Sequence, residues 1–328
     1  MKDGINISRR TALIGSAGLI GASLVPQLAS PALARAPKLG VSMPTHFRFA
    51  LGEFEITTVL DGAVQLDGPH PIFGENQPEE VVRKFAAENL LPETRMEISF
   101  TPLIVNTGAE LVLFDTGNGE TTNRRPNAGL LASRLAAAGY KPEDITIVVI
   151  THCHGDHIGG LMEDGKPAFP NARYVIGQVE YDFWTDMDRL ASPVAAAADL
   201  VQKNLVPLAE KITFIKPDGE VTPGIRAVDA FGHTPGHMAY HIESAGKRFL
   251  IWADLTNHWV MSLERPDWHV RFDMDKDKAV AARKRILDMA ATDKIPVTGY
   301  HMPFPAIGFV MKKDGGYRWV QATYQLRI

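Results

Sequence analysis

Apolar and polar positions alternate along this chain in short blocks, and the period of each block predicts an element. EFEITTVL (53–60) reads as a strand closing on the turn signal Asp61-Gly62. TPLIVNT and ELVLFDT (101–107 and 110–116) are two apolar runs joined at Gly108-Ala109, the pattern of a hairpin. DITIVVI (144–150) is continuously apolar and rich in β-branched residues, which fits a strand buried on both faces. Further strands are expected at 173–177, 212–215, 225–230, 238–243 and 247–252, with a closing hairpin around Asp314-Gly315-Gly316. Helical spacing marks PEEVVRKFAAENL (78–90), where Pro78 stands near the start and acids fill the first turn. It marks AGLLASRLAAAGY (128–140), stopped by Gly139, and recurs near 178–190, 194–210 and 276–291. No linker, repeat or low-complexity stretch divides the series. Strands and helices mixed in this way predict a layered α/β domain with helices outside sheets.

The first 34 residues fall outside that pattern. A polar stretch ending in Arg9-Arg10 precedes an uncharged run rich in Gly and Ala, and Ala32-Leu33-Ala34 then supplies an A-x-A cleavage signature. The paired arginines resemble a twin-arginine export signal, which carries proteins across a membrane already folded. Residues 1–34 are therefore expected to be a removed signal peptide, and 35–328 a single domain in the periplasm or outside the cell.

Composition narrows the partners. Thirty-four basic against 38 acidic residues give a formal net charge of −4, with no basic block. Neither nucleic acid nor, once the leader is gone, a membrane is expected as partner. One cysteine, Cys153, excludes an intramolecular disulfide. A homodimer is compatible with this composition.

The chemistry gathers in THCHGDHIGG (151–160), directly after the buried strand. Extended residues alternate sides, so His152 and His154 should face one way and Cys153 the other. Gly155 permits a bend that returns Asp156 and His157 to the same point. Imidazole and carboxylate at this spacing suit zinc or a similar divalent ion. A structural zinc site would recruit thiolates. Two facing pairs of ligands from one loop point instead to two metals. Histidines near one another can also be plain packing or capping residues, but H-x-H-x-D-H after a buried strand is much more specific than that.

This reading requires further ligands at later strand ends. Gly232-His233-Thr234-Pro235-Gly236-His237 follows IRAVDAF, Asp254 follows RFLIWA, and His301 follows IPVTGY. With these motifs the chain, from about Phe49 onward, resembles the metallo-β-lactamase fold superfamily of hydrolases. GEFEIT (52–57), IVNTGAELVLFDTG (104–117) and FPAIG (304–308) make it most similar to the methyl parathion hydrolase branch and the related zinc lactonases.

The resemblance implies a four-layer αββα sandwich, two mixed β-sheets flanked by helices. It implies that His152, His154 and His233 hold one metal, that Asp156, His157 and His301 hold the other, and that Asp254 bridges them. Asp61 and Asp115 would stand behind the ligands as supports, and His237 would hydrogen-bond the loop presenting His233. Two zinc ions sharing a water lower its pKa from about 15.7 toward neutrality. The resulting hydroxide, oriented by Asp254, would be the nucleophile, and no serine or cysteine is required. The expected substrate is a lactone or aryl carboxylic ester, with phosphotriesters as side substrates.

Substrate contacts are less defined. Trp184, Asn257, His258 and Trp259 are candidates for the pocket. Asn257 stands where related lactonases often place a tyrosine, and Thr121-Thr122-Asn123-Arg124 lacks the aromatic residue of methyl parathion hydrolase. Three stretches are set aside. FDMDKDKAV (272–280) lacks the Gly and Glu of a calcium loop, so its acids are assigned to the dipole of the following helix. Gly117-Asn118-Gly119 lacks the features of a phosphate loop, and Arg124-Arg125 reads as a solvated loop rather than an anion clamp, with a place near the mouth of the site as the alternative. A thioesterase of the glyoxalase II kind, an iron-dependent oxygen-using enzyme and a non-hydrolytic metal-binding member of the fold are the alternatives.

Overall fold

A computed structural model describes residues 38, 40–322 and 326–327. The expected leader, residues 1–34, lies outside the described residues. The segment from Met43 onward forms one compact unit.

Two seven-stranded sheets build it. The first runs, in spatial order, His46–Leu51, Phe54–Val59, Leu103–Asn106, Leu111–Phe114, Ile147–Ile150, Arg173–Gly177 and Ile212–Ile215. Its first three pairings are antiparallel and its last three parallel. The second runs Glu220–Thr222, Ile225–Asp229, Met238–Ser244, Lys247–Ile251, Val297–Thr298, Ile307–Lys313 and Gly316–Gln321. Only the Lys247–Ile251 pairing with Val297–Thr298 is parallel there.

Alternation along the strands assigns the layers. Ile147 and Val149 join a core between the sheets, against Ala227, Tyr240 and Phe249 of the second sheet. Their neighbours Val148 and Ile150 face the other way, toward Leu131, Leu135, Trp184 and Val201 on the outer helices. This strand is buried on both faces, as its unbroken apolar run requires. The outer face of the second sheet is covered by the helix Lys276–Asp293 through Ala282, Ile286, Leu287 and Ala290. The architecture is αββα.

Boundaries move where local chemistry intervenes. The helix predicted over 78–90 spans Glu79–Glu88, with Pro78 as its N-cap residue. The helix expected over 128–140 spans only Leu131–Ala137; the Asp61 carboxylate accepts from the Gly129 and Leu131 amides at its start, and the left-handed Gly139 follows its end. The runs near 178–190 and 194–210 end as 3₁₀ turns, at Met187–Ala191 and Val206–Lys211. One element was not expected. Gly62–Asp67 pairs with Arg95–Phe100, and this ribbon packs with the helix Glu79–Glu88 in a separate apolar cluster that includes Phe73, Phe85 and Trp268.

Candidate metal centre

Every expected ligand lies just beyond a strand, at one rim of the sandwich. The segment after Ile147–Ile150 is held by Thr151, whose backbone N–H and hydroxyl donate to the two oxygens of Asp115 at 2.9 and 2.8 Å. His154 then caps a one-turn helix, Gly155–Ile158, that swings Asp156 and His157 back. The turn is helical, so the bend does not depend on a left-handed glycine at position 155. Cys153 points away into the outer core, fully buried.

The GHTPGH segment shows why two of its positions must be glycine. Gly232 has φ +136°, and a Cβ there would sit 2.1 Å from the backbone nitrogen of Ala279. At Gly236 a Cβ would come within 2.3 Å of the Glu180 nitrogen. Glu180, fully buried, ties the two histidine loops together. Its Oε1 accepts from the Cys153 N–H (2.8 Å) and the Trp184 indole (2.8 Å). Its Oε2 accepts from the Thr234 hydroxyl (2.7 Å) and the Gly236 N–H (2.8 Å).

Two sets of donor atoms result: His152, His154, His233 and Asp254 in one, and Asp156, His157 and His301 in the other, each with all atoms within 4.8 Å of one another. Asp254 faces both. Its Oδ2 lies 3.3 Å from His233 Nε2 and 3.1 Å from His301 Nε2, and its Oδ1 lies 3.3 Å from His157 Nε2. Asp156 Oδ2 is 3.6 Å from His301 Nε2 and 3.8 Å from His157 Nε2.

The groups behind the rings decide what those atoms are. His233 Nδ1 meets the Asp273 carboxylate at 2.9 Å, His157 Nδ1 meets Asp115 at 2.8 Å, and His301 Nδ1 meets the Ser99 carbonyl at 2.8 Å. These partners only accept, so each Nδ1 carries a hydrogen and Nε2 is the atom that each ring turns inward. Lone pairs against carboxylate oxygens at such distances repel unless positive charge lies between them. Accordingly, His157 Nε2 and Asp254 Oδ1 are buried without any hydrogen-bond partner. Burial pushes His154 down to about 3, leaving a neutral ring able to coordinate. Burial also opposes charge on His233, yet Asp254 and Asp273 outweigh it and lift that ring to about 9. The carboxylates therefore stabilise a cation where ligand atoms converge. A His/Asp cluster of this kind fits a two-metal site, and the donor set is that of zinc.

The comparisons with known proteins agree. Residues 99–296, more than half of the chain, match the family model described as metallo-beta-lactamase superfamily. The chain belongs to this superfamily. An N-acyl homoserine lactonase of Bacillus cereus is 25% identical over 209 residues, 61% of this chain and 76% of that protein. Another from a Bacillus species is 27% identical over the same share. Among solved structures, AidC, a dizinc quorum-quenching lactonase in complex with a product, superposes with TM-score 0.77 at 27% identity over 85% of this chain and 98% of that one. The hydrolase AbOPH gives 0.79 at 25% over 87% and 99%.

Within this superfamily fold the other expected residues take varied places. Asp115 stands directly behind His157. His237 donates from Nδ1 to the Ala230 carbonyl (2.9 Å), while its Nε2 accepts the Asp254 N–H (3.3 Å), so it joins the His233 loop to the Asp254 turn. Asp61 stands further out than expected. It touches no ligand, and its carboxylate instead accepts from Asn118, Gly129 and Leu131. Trp184 does not line a pocket. It is 1% exposed, its indole is spent on Glu180, and its ring lies 6.2 Å behind that of His154. Asn257 donates to Asp254 Oδ2 at 3.0 Å. With His258 and Trp259 it also lines a cavity of about 330 Å³ beside His301. His258 Nδ1 accepts from Val260 and Met261, so its primary partners are backbone.

Three residues escaped the sequence reading. Glu180 had no motif to mark it. Asp273 was assigned to a helix dipole, whereas Asp275 is the residue that caps that helix; Asp273 holds His233 and the buried Arg283. Tyr300, next to His301, donates to the Asp156 carbonyl and lies against the His157 ring at 3.9 Å. Arg124, read as solvated, lines a cavity of about 220 Å³ together with His154, Asp156, Asp254 and His301.

Proposed function

We propose that the chain is a two-zinc hydrolase that opens lactones and cleaves related carboxylic esters, with His152, His154 and His233 holding one ion, Asp156, His157 and His301 the other, and Asp254 between them. The carrying observation is the inward set of Nε2 lone pairs facing the two oxygens of Asp254, an arrangement that needs positive charge on both sides of that carboxylate. Bound ions supply an activated water and an electrophile for the carbonyl oxygen. The chain's own residues do the rest. Asp115, Asp273 and Ser99 fix the rings, Glu180 fixes the loops, and His237 and Asn257 fix Asp254. Val64, Leu66, Ile98, Phe100 and Phe272 offer an apolar wall that takes an acyl or aryl group and excludes water.

Lactonase and dizinc chemistry among the relatives supports the reading, and likeness to methyl parathion hydrolase in GEFEIT and FPAIG extends it to aryl esters and, as side substrates, phosphotriesters. The test is turnover by zinc-loaded protein of N-acyl homoserine lactones, simple γ-lactones, 4-nitrophenyl esters, a phosphotriester and a glutathione thioester. Lactones and aryl esters should lead. Turnover of the thioester alone would replace this reading with a thioesterase. We propose as well that residues 1–34 direct export of the folded protein. Lys at both Arg9 and Arg10 should retain the precursor in the cytoplasm, and unimpaired export would refute that assignment.

A further inference from the structure

The cavity over the ligand atoms has apolar walls and a single charged residue outside the ligand set, Arg124. The two adjacent arginines behave differently. Arg125 pairs with Glu163 at 2.9 Å, whereas Arg124 forms no ion pair among the described residues. Arg124 is nevertheless held in place. Its Nη1 donates to Asn118 Oδ1 at 2.8 Å, and the Asn118 side-chain amide donates in turn to Asp61 Oδ2 at 2.8 Å. The guanidinium carbon lies 5.0 Å over the Phe100 ring, which fixes the plane of the group. One of five N–H donors is thereby used, and a braced planar fork remains beside the site. This arrangement also gives Asp61 a purpose at the centre: through Asn118 it positions Arg124.

We infer that the preferred substrates are esters or lactones carrying a carboxylate remote from the bond that breaks, and that Arg124 receives this carboxylate. The inference rests on the hydrolase reading above. A buried or half-buried guanidinium without a carboxylate favours an anionic ligand, and its fork matches a carboxylate with two parallel hydrogen bonds. The cavity's own acids, Asp156 and Asp254, are turned to the histidines; Arg124 acts on Asp156 only through space and forms no ion pair with either. The apolar walls reward a hydrocarbon spacer between the scissile carbonyl and the anionic end.

Two readouts test it on the zinc-loaded full-length protein. The first is binding by calorimetry of linear dicarboxylates from succinate to suberate, each matched with its monoamide, which has the same shape and one charge fewer. Wild type should bind at least one dicarboxylate about tenfold or more tightly than its monoamide, and Arg124→Gln should abolish that preference while Arg124→Lys keeps part of it. The second is the KM ratio between 4-nitrophenyl esters of a dicarboxylic acid and of the matching neutral acid, which should rise about tenfold or more in Arg124→Gln. Metal content and Tm of each variant confirm that it is folded. Preference for the charged ligand that is absent from wild type, or present and indifferent to Arg124, overturns the inference while ester turnover leaves the hydrolase reading standing. No turnover by wild type of either ester or of any lactone in the panel above defeats both.

Discussion

The metal cradle and the wall above it share a cavity but are built on opposite principles. In the cradle the ligands are held from behind: Asp115, Asp273, Ser99 and Glu180 each hold a ring or a loop, and the ligands lie within 4.8 Å of one another in two groups. The wall is apolar apart from Arg124, which is braced at one nitrogen and open at the rest. A centre that must hold two like-charged ions needs geometry fixed from behind, because ligand rings free to turn would lose the ions. A wall that selects substrates needs surface and one placed charge. On the proposed function, the cradle determines whether the reaction runs, and the wall determines on what.

Substitutions in the cradle should separate ligand, support and bystander. Asp254→Asn keeps the shape and removes the charge shared by both sets, so one ion should be lost and kcat should fall by more than about 100-fold, beyond the range of residues behind ligands. Elemental analysis beside steady-state kinetics checks both. Asp273→Asn frees His233 and leaves Arg283, fully buried, without its carboxylate. Removing one partner of a buried ion pair costs roughly 3–5 kcal/mol, and metal affinity should drop about 10- to 100-fold; denaturant unfolding and zinc titration read these. His237→Ala should retain both ions and lose only about tenfold in kcat, since Asp254 keeps Asn257 as a partner. The smallest effects belong to residues facing away. Trp184→Phe and Cys153→Ser should leave KM within about twofold, with any loss appearing in stability, at about 1–3 kcal/mol where a hydroxyl replaces the buried thiol. A KM shift larger than kcat loss in Trp184→Phe would return that ring to the substrate pocket.

The same contrast separates what the sequence disclosed from what it concealed. His152, His154, Asp156 and His157 were legible in their spacing after one apolar strand, and His233, Asp254 and His301 in their places after later strands together with the family resemblance. DITIVVI disclosed a strand buried on both faces, whose alternate residues face two different cores, and the αββα layering itself came from the family resemblance. Supports were harder. Asp273 looked like a helix-capping acid, and only folding brings it 40 residues back to His233. Glu180 sits in an ordinary amphipathic stretch and acquires its role from two loops remote in sequence. The ribbon Gly62–Asp67 with Arg95–Phe100 went unseen because its partners are separated by a helix and polar turns. Arg124 and Trp184 both departed from the roles expected of them: the arginine lines the cavity, and the tryptophan is buried behind His154 with its indole on Glu180.

The proposed chemistry requires two ions held on either side of Asp254. The direct measurement is titration of metal-stripped protein with zinc at neutral pH, followed by calorimetry and elemental analysis, in wild type and in His301→Ala. Wild type should take up two ions per chain, and His301→Ala should keep the ion of the three-histidine set while binding the other far more weakly. Saturation of wild type at one ion, or a His301→Ala variant that binds two as tightly as wild type, would contradict it.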